Sequence, residues 1–407
     1  MTDLDSNERL HDAMEVWRRN RCISGRAVVI YCRWVQRFIT YCAETGRSLE
    51  IELTHAGVCQ FVKWYTRSRD VNVDCALSAA RSALHAWRDA LQIAGESLPP
   101  WQPKQNPLPR VSPLLREYAD DMRQHRGSAE GTIRLRILAA NRFVTFLHAR
   151  HRRLRDLRPA DLDAYVMECA KRYSRATVVS ICSMLRGFTR FLRANGQISI
   201  DLASCVLRPV LRKGARPPRT LPWGDVQRIL RAIDRSTPCG KRDYALLLLM
   251  SMYGLGAGET ISLTLDDIDW RAATLRIVRP KTGVECMLPL LPAVARALVN
   301  YLRHGRPSHA QTRHVFMRMK VPHRPLSSSA AVRHRLVKHA RAAGVSAPYL
   351  GSHVLRHTHA ARQMEFGTSP KLIGDILGHR DPESTSAYLR VATERLRRMA
   401  LPVPRWQ

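Results

Sequence analysis

Five residues in the second half of the chain have types and spacings that could act on a phosphate ester. His353 and Arg356 stand three residues apart, and on a helix this spacing puts both side chains on one face, with their Cβ atoms roughly 5–6 Å apart. Both side chains could then reach a single phosphate group. Tyr388 follows His379 by nine residues, and a tyrosine phenol can serve as a covalent nucleophile. Lys281 lies upstream of these four in a Lys-Thr-Gly sequence.

The sequence pattern predicts the elements that must position these residues. Residues 274–278 alternate in polarity, residues 285–290 form a second short strand, and Lys281 lies in the turn between them, which together indicates a β-hairpin. Apolar residues that recur with the helical period predict helices over 223–233, 242–253, 291–302, 328–343, 352–366, 370–377 and 383–399. We therefore expect this part of the chain to be mainly α-helical, with a small antiparallel β-sheet.

Two proline-rich stretches divide the chain into three bodies. The stretch 99–112 carries prolines at a density that no helix tolerates, because each proline removes a backbone donor. The stretch 206–221 is proline-rich and strongly basic, so it could lie along a nucleic-acid backbone or serve as a solvated tether. The bodies expected on this division are residues 1–98, 113–205 and 222–407.

The first two bodies look like copies of one another. Arg-Phe-Ile-Thr-Tyr at 37–41 matches Arg-Phe-Val-Thr-Phe at 142–146, and later matches show an offset that drifts only from 105 to 101 residues. Each copy has apolar residues at helical spacing, with glycine or proline at the breaks. Each is therefore expected to be a small bundle of about four helices.

The charge of the chain points to an anionic partner. Its 407 residues include 66 Lys and Arg against 34 Asp and Glu, which gives a net charge of +32. The hydrophobic fraction of 45% is enough to form folded cores, so nucleic acid is the favoured partner of a folded, basic protein. Arginine supplies 57 of the 66 basic residues; this bias suits bidentate phosphate binding, and it equally suits a G+C-rich genome.

Several other classes are disfavoured. The longest apolar run, 245–253, is far shorter than the ~20 residues that a membrane span requires. The N-terminal sequence is polar and acidic and lacks the apolar core of a signal peptide. The ten cysteines form no Cys-x-x-Cys pair, so neither a zinc site nor a disulfide framework is indicated. We expect a cytoplasmic protein without a membrane partner or a metal.

Four motifs in order make the chain resemble the tyrosine recombinase, or phage integrase, family over roughly residues 113–400. The segments that carry this resemblance are Tyr-Gly-Leu at 253–255 with Leu-Thr-Leu-Asp-Asp-Ile-Asp at 263–269, Gly-Ser-His-Val-Leu-Arg-His-Thr at 351–358, and Leu-Gly-His-Arg at 377–380 followed by Tyr388. The resemblance implies two N-terminal helical bundles, with a SAM-like, core-binding domain at 113–205, and an α+β catalytic integrase domain at 222–407.

The resemblance also implies a role for each candidate residue. Tyr388 would attack the phosphorus to form a 3′-phosphotyrosine, and Arg356 with His353 would bind the charge that develops on the phosphate oxygens. His379 would hydrogen-bond a phosphate oxygen or help to manage the tyrosine proton. Lys281 would protonate the 5′-oxygen that leaves. Protein cations then do the work of a metal, and no cofactor is implied. His357 and Arg380, which neighbour the motifs, are interpreted as structural or DNA-contacting residues.

The implied function is site-specific recombination of double-stranded DNA, as in DNA integration or transposition by a mobile element. Family members work as homotetramers on paired sites, in some cases with partner recombinases, and exchange a C-terminal helix for which 383–399 is the candidate. The bundle at 1–98 would also bind DNA, and the protein would be associated with the nucleoid.

One position departs from the family pattern. The first catalytic arginine of the family follows Gly-Leu and stands three residues before a glutamate, but here Gly256 occupies that position. Losing one transition-state donor typically costs 10²–10³ in rate. The alternative is therefore a catalytically impaired, DNA-binding relative that acts as an accessory or regulatory protein at recombination sites. A type IB topoisomerase shares the chemistry, but the Leu-Gly-His motif and the two bundles favour an integrase.

Overall fold

The structure is a computed structural model that is mainly helical, which confirms the predicted fold class. None of the helices in the described part of the chain combines the length and apolar character needed to cross a lipid bilayer. The structure describes residues 3–19, 23–67, 69, 71–101, 112–210, 218–279, 283–307, 310, 312–321, 323–378, 385 and 388.

The first group of helices forms around a core of large aromatic side chains. Ser24 and Thr54 begin two of these helices by accepting hydrogen bonds from the backbone N–H groups three residues on. Trp17, Phe38 and Trp87 are fully buried in the core. The helices of this group are α1 (Asp3–Arg19), α2 (Gly25–Glu44), α3 (Leu49–Glu52), α4 (His55–Thr66) and α5 (Val73–Ile93).

The second group repeats this order of helices. Phe143 on α7 is fully buried, as is its repeat counterpart Phe38 on α2. The repeated segment therefore supplies a core aromatic residue in both copies. The helices of this group are α6 (Pro113–Gln124), α7 (Glu130–His148), α8 (Pro159–Arg172) and α9 (Arg175–Ala194), with a single 3₁₀ turn at Leu154–Asp156.

The third group contains seven described helices, six of which lie within four residues of their predicted bounds. The short helix α12 was missed, because a helix of six residues is too short to show a period. The predicted helix 383–399 lies outside the described residues, apart from Thr385 and Tyr388. The helices are α10 (Trp223–Arg231), α11 (Pro238–Tyr253), α12 (Ala257–Ser262), α13 (Pro292–His304), α14 (Ser329–Ala342), α15 (Val354–Glu365) and α16 (Pro370–Leu377).

A three-stranded antiparallel sheet belongs to the third group. Strands β2 (Thr274–Val278) and β3 (Glu285–Pro289) form the predicted hairpin, and β1 (Ile268–Asp269) pairs with the other edge of β2. Strand β1 was not predicted, since two residues cannot show alternation. Val278 pairs with Glu285 at the end of the hairpin, next to the segment that carries Lys281.

The chain separates into two compact units, Lys104–Ala215 and the combination of Met1–Pro103 with Arg216–Gln407. In the larger unit, Val321, from the segment between α13 and α14, is buried in the core of the first helical group. The finer boundaries expected from the two proline-rich stretches remain predictions, and residues 102–111 and 211–217 lie outside the described residues.

A buried charge cluster ties α11 to α14. Asp243, which is 1% exposed, accepts hydrogen bonds from Arg242 and from Nε2 of His339 at 3.0 Å, and it pairs with Arg335. Burial raises the pKa of Asp243, but the hydrogen bond from His339 and the charges of the two arginines outweigh it and hold the pKa below its ordinary value. The cluster therefore links a buried position on α11 to two positions one turn apart on α14.

Candidate active site

Helix α15 carries the His-x-x-Arg motif at its N-terminal end. His353 is the residue that precedes the helix, and its side chain is exposed, whereas Arg356 in the first turn is half-buried. Val354 and Leu355 between them are buried in the core. These two apolar residues fix the rotation of the helix, so the motif lies at the boundary between core and solvent.

Arg356 joins three separate segments of the chain. Its Nη1 donates to the carbonyl oxygen of Gly254 at 3.1 Å and to Oε2 of Glu259 at 3.1 Å. Its Nη2 donates to the carbonyl oxygen of Leu377, at the end of α16. Burial lowers the pKa of the Arg356 guanidinium, and the Glu259 carboxylate opposes that shift. The guanidinium is therefore held in one orientation by partners from α11, α12 and α16.

A second arginine, which the sequence did not single out, lies in the same site. Arg279 follows strand β2 and is 4% exposed. Its Nη1 donates to Oε1 of Glu259 at 3.1 Å, and its guanidinium also donates to the carbonyl oxygens of Ile376 and Leu377. Nothing in the sequence separates Arg279 from the other arginines, because its partners are brought to it only by the fold.

Tyr388 lies against α15 with its hydroxyl group 2.9 Å from Nδ1 of His357. The tyrosine is 2% exposed, and burial raises the pKa of its phenol, which the positive charge of Arg356 opposes. Its apolar neighbours are Ala360, Met364, Ile373 and Leu377. The sequence singled out Tyr388 and interpreted His357 as structural or DNA-contacting; the contact between the two residues was not predicted, because it depends on the fold.

Gly256 lies beside the Glu259 carboxylate and the Arg356 guanidinium. It precedes α12, and its N–H donates to Oε2 of Glu259 at 2.8 Å. A Cβ atom placed on Gly256 would lie 3.6 Å from the Glu259 carboxylate and 3.9 Å from Nη1 of Arg356, which are ordinary contact distances. A side chain at position 256 would therefore begin beside Arg356. Glycine itself supplies no positive charge at this position.

Lys281 and His379 lie outside the described residues, as does Arg380, and their roles remain predictions. Arg279 stands two residues before Lys281, and Gly378 stands directly before His379. The Arg279 guanidinium lies so close over Gly378 that a Cβ atom on the glycine would overlap it. The chain segments that lead to both predicted residues thus meet at the site.

The described residues offer a phenol, an imidazole beside it, and two guanidinium groups around one carboxylate. Within the described ranges, no group of three or more His, Cys, Asp or Glu residues is arranged to hold a metal ion. Guanidinium groups bind phosphate oxygens in a bidentate manner, and an imidazole beside a phenol can accept its proton. The arrangement suits nucleophilic attack by a tyrosine on a phosphate ester.

Known proteins resemble the chain over both of its later bodies. Residues 219–395 match the phage integrase family, and residues 115–196 match the phage integrase N-terminal SAM-like domain. Integrase/recombinase y4rA of Sinorhizobium fredii is 36% identical over 62% of this chain and 61% of its own length. Integrase/recombinase y4rF of the same organism is 34% identical over 72% of this chain and 69% of its own length. Tyrosine recombinase XerD of Shewanella oneidensis is 28% identical over 71% of this chain and 96% of its own length.

A solved structure shares the fold. The XerH site-specific recombinase, in a post-cleavage complex with a palindromic difH substrate, superposes with a TM-score of 0.55 at 16% identity, over 86% of this chain and 95% of XerH. The chain belongs to the phage integrase family of tyrosine recombinases, which confirms the family predicted from the four motifs. The chain spans about three fifths of the length of y4rA.

Proposed function

We propose that this protein is an active tyrosine-type DNA strand transferase, which cuts and rejoins duplex DNA through a 3′-phosphotyrosine at Tyr388. The observation that carries the proposal is the 2.9 Å contact between the Tyr388 hydroxyl and His357, which directly follows Arg356 on α15 and lies one turn from His353. A nucleophile, a proton acceptor and a phosphate-binding guanidinium therefore meet at the N-terminal end of α15.

The reaction consists of two transesterifications. Oη of Tyr388 gives its proton to Nδ1 of His357 and forms a bond to the phosphorus, while the bond from phosphorus to the 5′-oxygen breaks. Lys281 gives a proton to the departing 5′-oxygen. In the second step the 5′-hydroxyl of an exchanged strand gives its proton to Lys281 and forms a bond to the phosphorus, while the bond from phosphorus to the tyrosine oxygen breaks. The tyrosine oxygen then takes its proton back from His357. The phosphodiester bond energy is kept throughout, so no nucleotide cofactor is needed.

Cations of the protein stabilise the charge of the transition state. Arg356 reaches the phosphate from the buried side and His353 from the exposed N-terminal end of α15. His379 adds a hydrogen bond to a phosphate oxygen. Glu259 holds the Arg356 guanidinium in place, and a preorganised cation requires little reorganisation during the reaction.

The proposed substrate is double-stranded DNA, and the proposed assembly is a homotetramer on paired sites. The net charge of +32 supports DNA as the substrate. The known structures that share the fold include a lambda integrase tetramer bound to a Holliday junction, with a TM-score of 0.51 at 19% identity. On this proposal the bundles at 1–98 and 113–205 each bind DNA, and the protein works at the nucleoid, in integration or transposition.

Covalent capture of DNA tests this function. Nicked duplexes tiled across the DNA on either side of the gene would be incubated with the full-length protein, and the products separated on a denaturing gel. Cleavage beside a nick releases a short fragment that cannot religate, so the covalent intermediate accumulates. We expect an adduct, and mass spectrometry of its peptides should place the phosphate on Tyr388.

Two variants make the result specific. Tyr388→Phe should form no adduct, while the matched variant Tyr349→Phe, which changes an exposed tyrosine, should form as much as the wild type. An adduct that survives Tyr388→Phe would show that the nucleophile is misassigned. Tight and selective binding of one duplex by the wild type, with no covalent product, would instead support a protein that only occupies recombination sites.

A further inference from the structure

Arg279 and Arg356 share two partners. Each arginine takes one oxygen of the Glu259 carboxylate, Oε1 for Arg279 and Oε2 for Arg356, both at 3.1 Å. Each also donates to the carbonyl oxygen of Leu377. Two guanidinium groups that reach one carbonyl oxygen can likewise both reach one oxygen of a phosphate.

The described part of the site holds more positive charge than negative charge. Glu259 supplies one negative charge against two guanidinium groups, whose side chains are only 5% and 12% exposed. Like charges brought together away from water repel one another. Among the described residues, Nε of Arg279 is buried and has no hydrogen-bond partner. A buried donor beside an excess of positive charge is the condition in which an anion binds favourably.

Gly256 contributes no side-chain charge of its own to the site. A Cβ atom there would meet only Glu259 and Arg356 among its nearest neighbours, at 3.6 Å or more. The fold brings Arg279, 20 residues later in the sequence, to the other oxygen of the same carboxylate.

We propose that Arg279 is the second phosphate-binding guanidinium of this site and supplies the positive charge that position 256 lacks. The inference rests on the proposed strand-transfer function, in that the bound phosphate is the scissile one. On this basis Gly256 does not abolish activity, because Arg279, which follows strand β2, supplies the second positive charge.

A structural role for Arg279 predicts different behaviour. Its hydrogen bonds to the carbonyl oxygens of Ile376 and Leu377 satisfy the C-terminal end of α16. If Arg279 only capped this helix, it would stabilise the protein, and its positive charge would not contribute to phosphate binding. The two roles are separated by variants that change the charge at one position and restore it at another.

The first arm measures single-turnover adduct formation with the nicked duplex that the wild type cleaves. Arg279→Gln, which removes the charge and keeps a side-chain N–H donor, should slow adduct formation about 10²–10³-fold. Arg279→Lys should lose less, because it keeps the charge. The matched control is Arg276→Gln, three residues earlier on strand β2, where an exposed guanidinium is paired to Asp267 and Glu285, and its rate should stay close to wild type.

The second arm restores the charge at position 256. In the Arg279→Gln background, Gly256→Arg should recover part of the lost rate without restoring the melting temperature. If Arg279 only caps α16, an arginine at 256 cannot replace it, and the rate of the double variant would stay where the single variant left it. That result would overturn the proposal.

The third arm requires no cleavage. Inorganic phosphate should raise the melting temperature of the wild type and of Arg276→Gln more than that of Arg279→Gln, because a ligand stabilises only the state that binds it. Equal shifts in melting temperature for the wild type and Arg279→Gln would refute the phosphate site.

If the wild type forms no covalent adduct, the proposed strand-transfer function is wrong, but the phosphate measurement still tests whether Arg279 binds phosphate. If Arg279→Gln does not fold, Arg279→Lys must keep the phosphate shift, and its loss would refute the site.

Discussion

The hydroxyl of Tyr388 and Nδ1 of His357 are 2.9 Å apart, although 31 residues separate them in the sequence. The phenol is buried and its pKa is raised, so it does not ionise on its own near neutral pH. The adjacent imidazole provides an acceptor for the proton that must leave before the tyrosine can attack.

Replacing His357 should slow the first chemical step. We expect His357→Ala to reduce the rate of adduct formation by about 10²–10⁴-fold, the usual contribution of a general base. The loss should become smaller at alkaline pH, where hydroxide can take the phenol proton directly. Single-turnover cleavage measured across a pH series checks this, with His334→Ala, an exposed histidine on α14, as the control. A loss that is the same at every pH would point to a packing role for His357.

Removing the shared carboxylate should damage both stability and chemistry. Glu259→Gln leaves the guanidinium groups of Arg279 and Arg356 without their counter-ion, and breaking a buried pair in this way costs about 3–5 kcal/mol. Urea unfolding measures the cost. The control Glu285→Gln removes the exposed partner of Arg276 and should change the free energy of unfolding by at most about 1 kcal/mol. Similar values for the two variants would contradict the role assigned to Glu259.

Two glycines of the site should respond oppositely to alanine. Gly378 has a φ of +65° and lies under the Arg279 guanidinium, so Gly378→Ala should lower the free energy of unfolding by about 1–3 kcal/mol. Gly256 has a φ of −70°, and a Cβ atom there would meet its neighbours at ordinary contact distances, so Gly256→Ala should be nearly neutral. Thermal and urea unfolding of both variants provide the measurement. A stability loss at position 256 as large as that at 378 would be inconsistent with this geometry.

The buried cluster on α11 should make stability depend on acid. The pKa of Asp243 is held below its ordinary value of 3.8, so its contribution is present above about that pH and is lost as the pH falls through the folded-state value. Asp243→Asn should remove this dependence and cost about 3–5 kcal/mol, because Arg242 and Arg335 lose their counter-ion. Asp266→Asn, which removes the exposed partner of Arg313, should leave the free energy of unfolding close to that of the wild type, because water and salt screen an exposed ion pair. Urea unfolding at several pH values distinguishes the two variants.

Local patterns predicted much of the fold. The alternation at 274–278 gave the bounds of strand β2, and the helical period over 370–377 gave those of α16, because each pattern records which face of one element is buried. The pattern missed α12 and β1, whose six and two residues are too few to repeat. Motif spacing identified Tyr388 and the His-x-x-Arg pair, since those residues are recognised by type and order.

By itself, the sequence determined a basic, mainly helical member of the phage integrase family, with a tyrosine nucleophile candidate and a missing arginine at position 256. Tertiary structure alone decided which groups surround that tyrosine and that position. His357, Glu259 and Arg279 reach the site across separations of 20 to 97 residues, and no local period encodes such contacts. Of the 57 arginines, the fold places Arg279 beside the Glu259 carboxylate. The strength of such a charge interaction depends on the distance between the groups and on their burial rather than on their positions in the sequence.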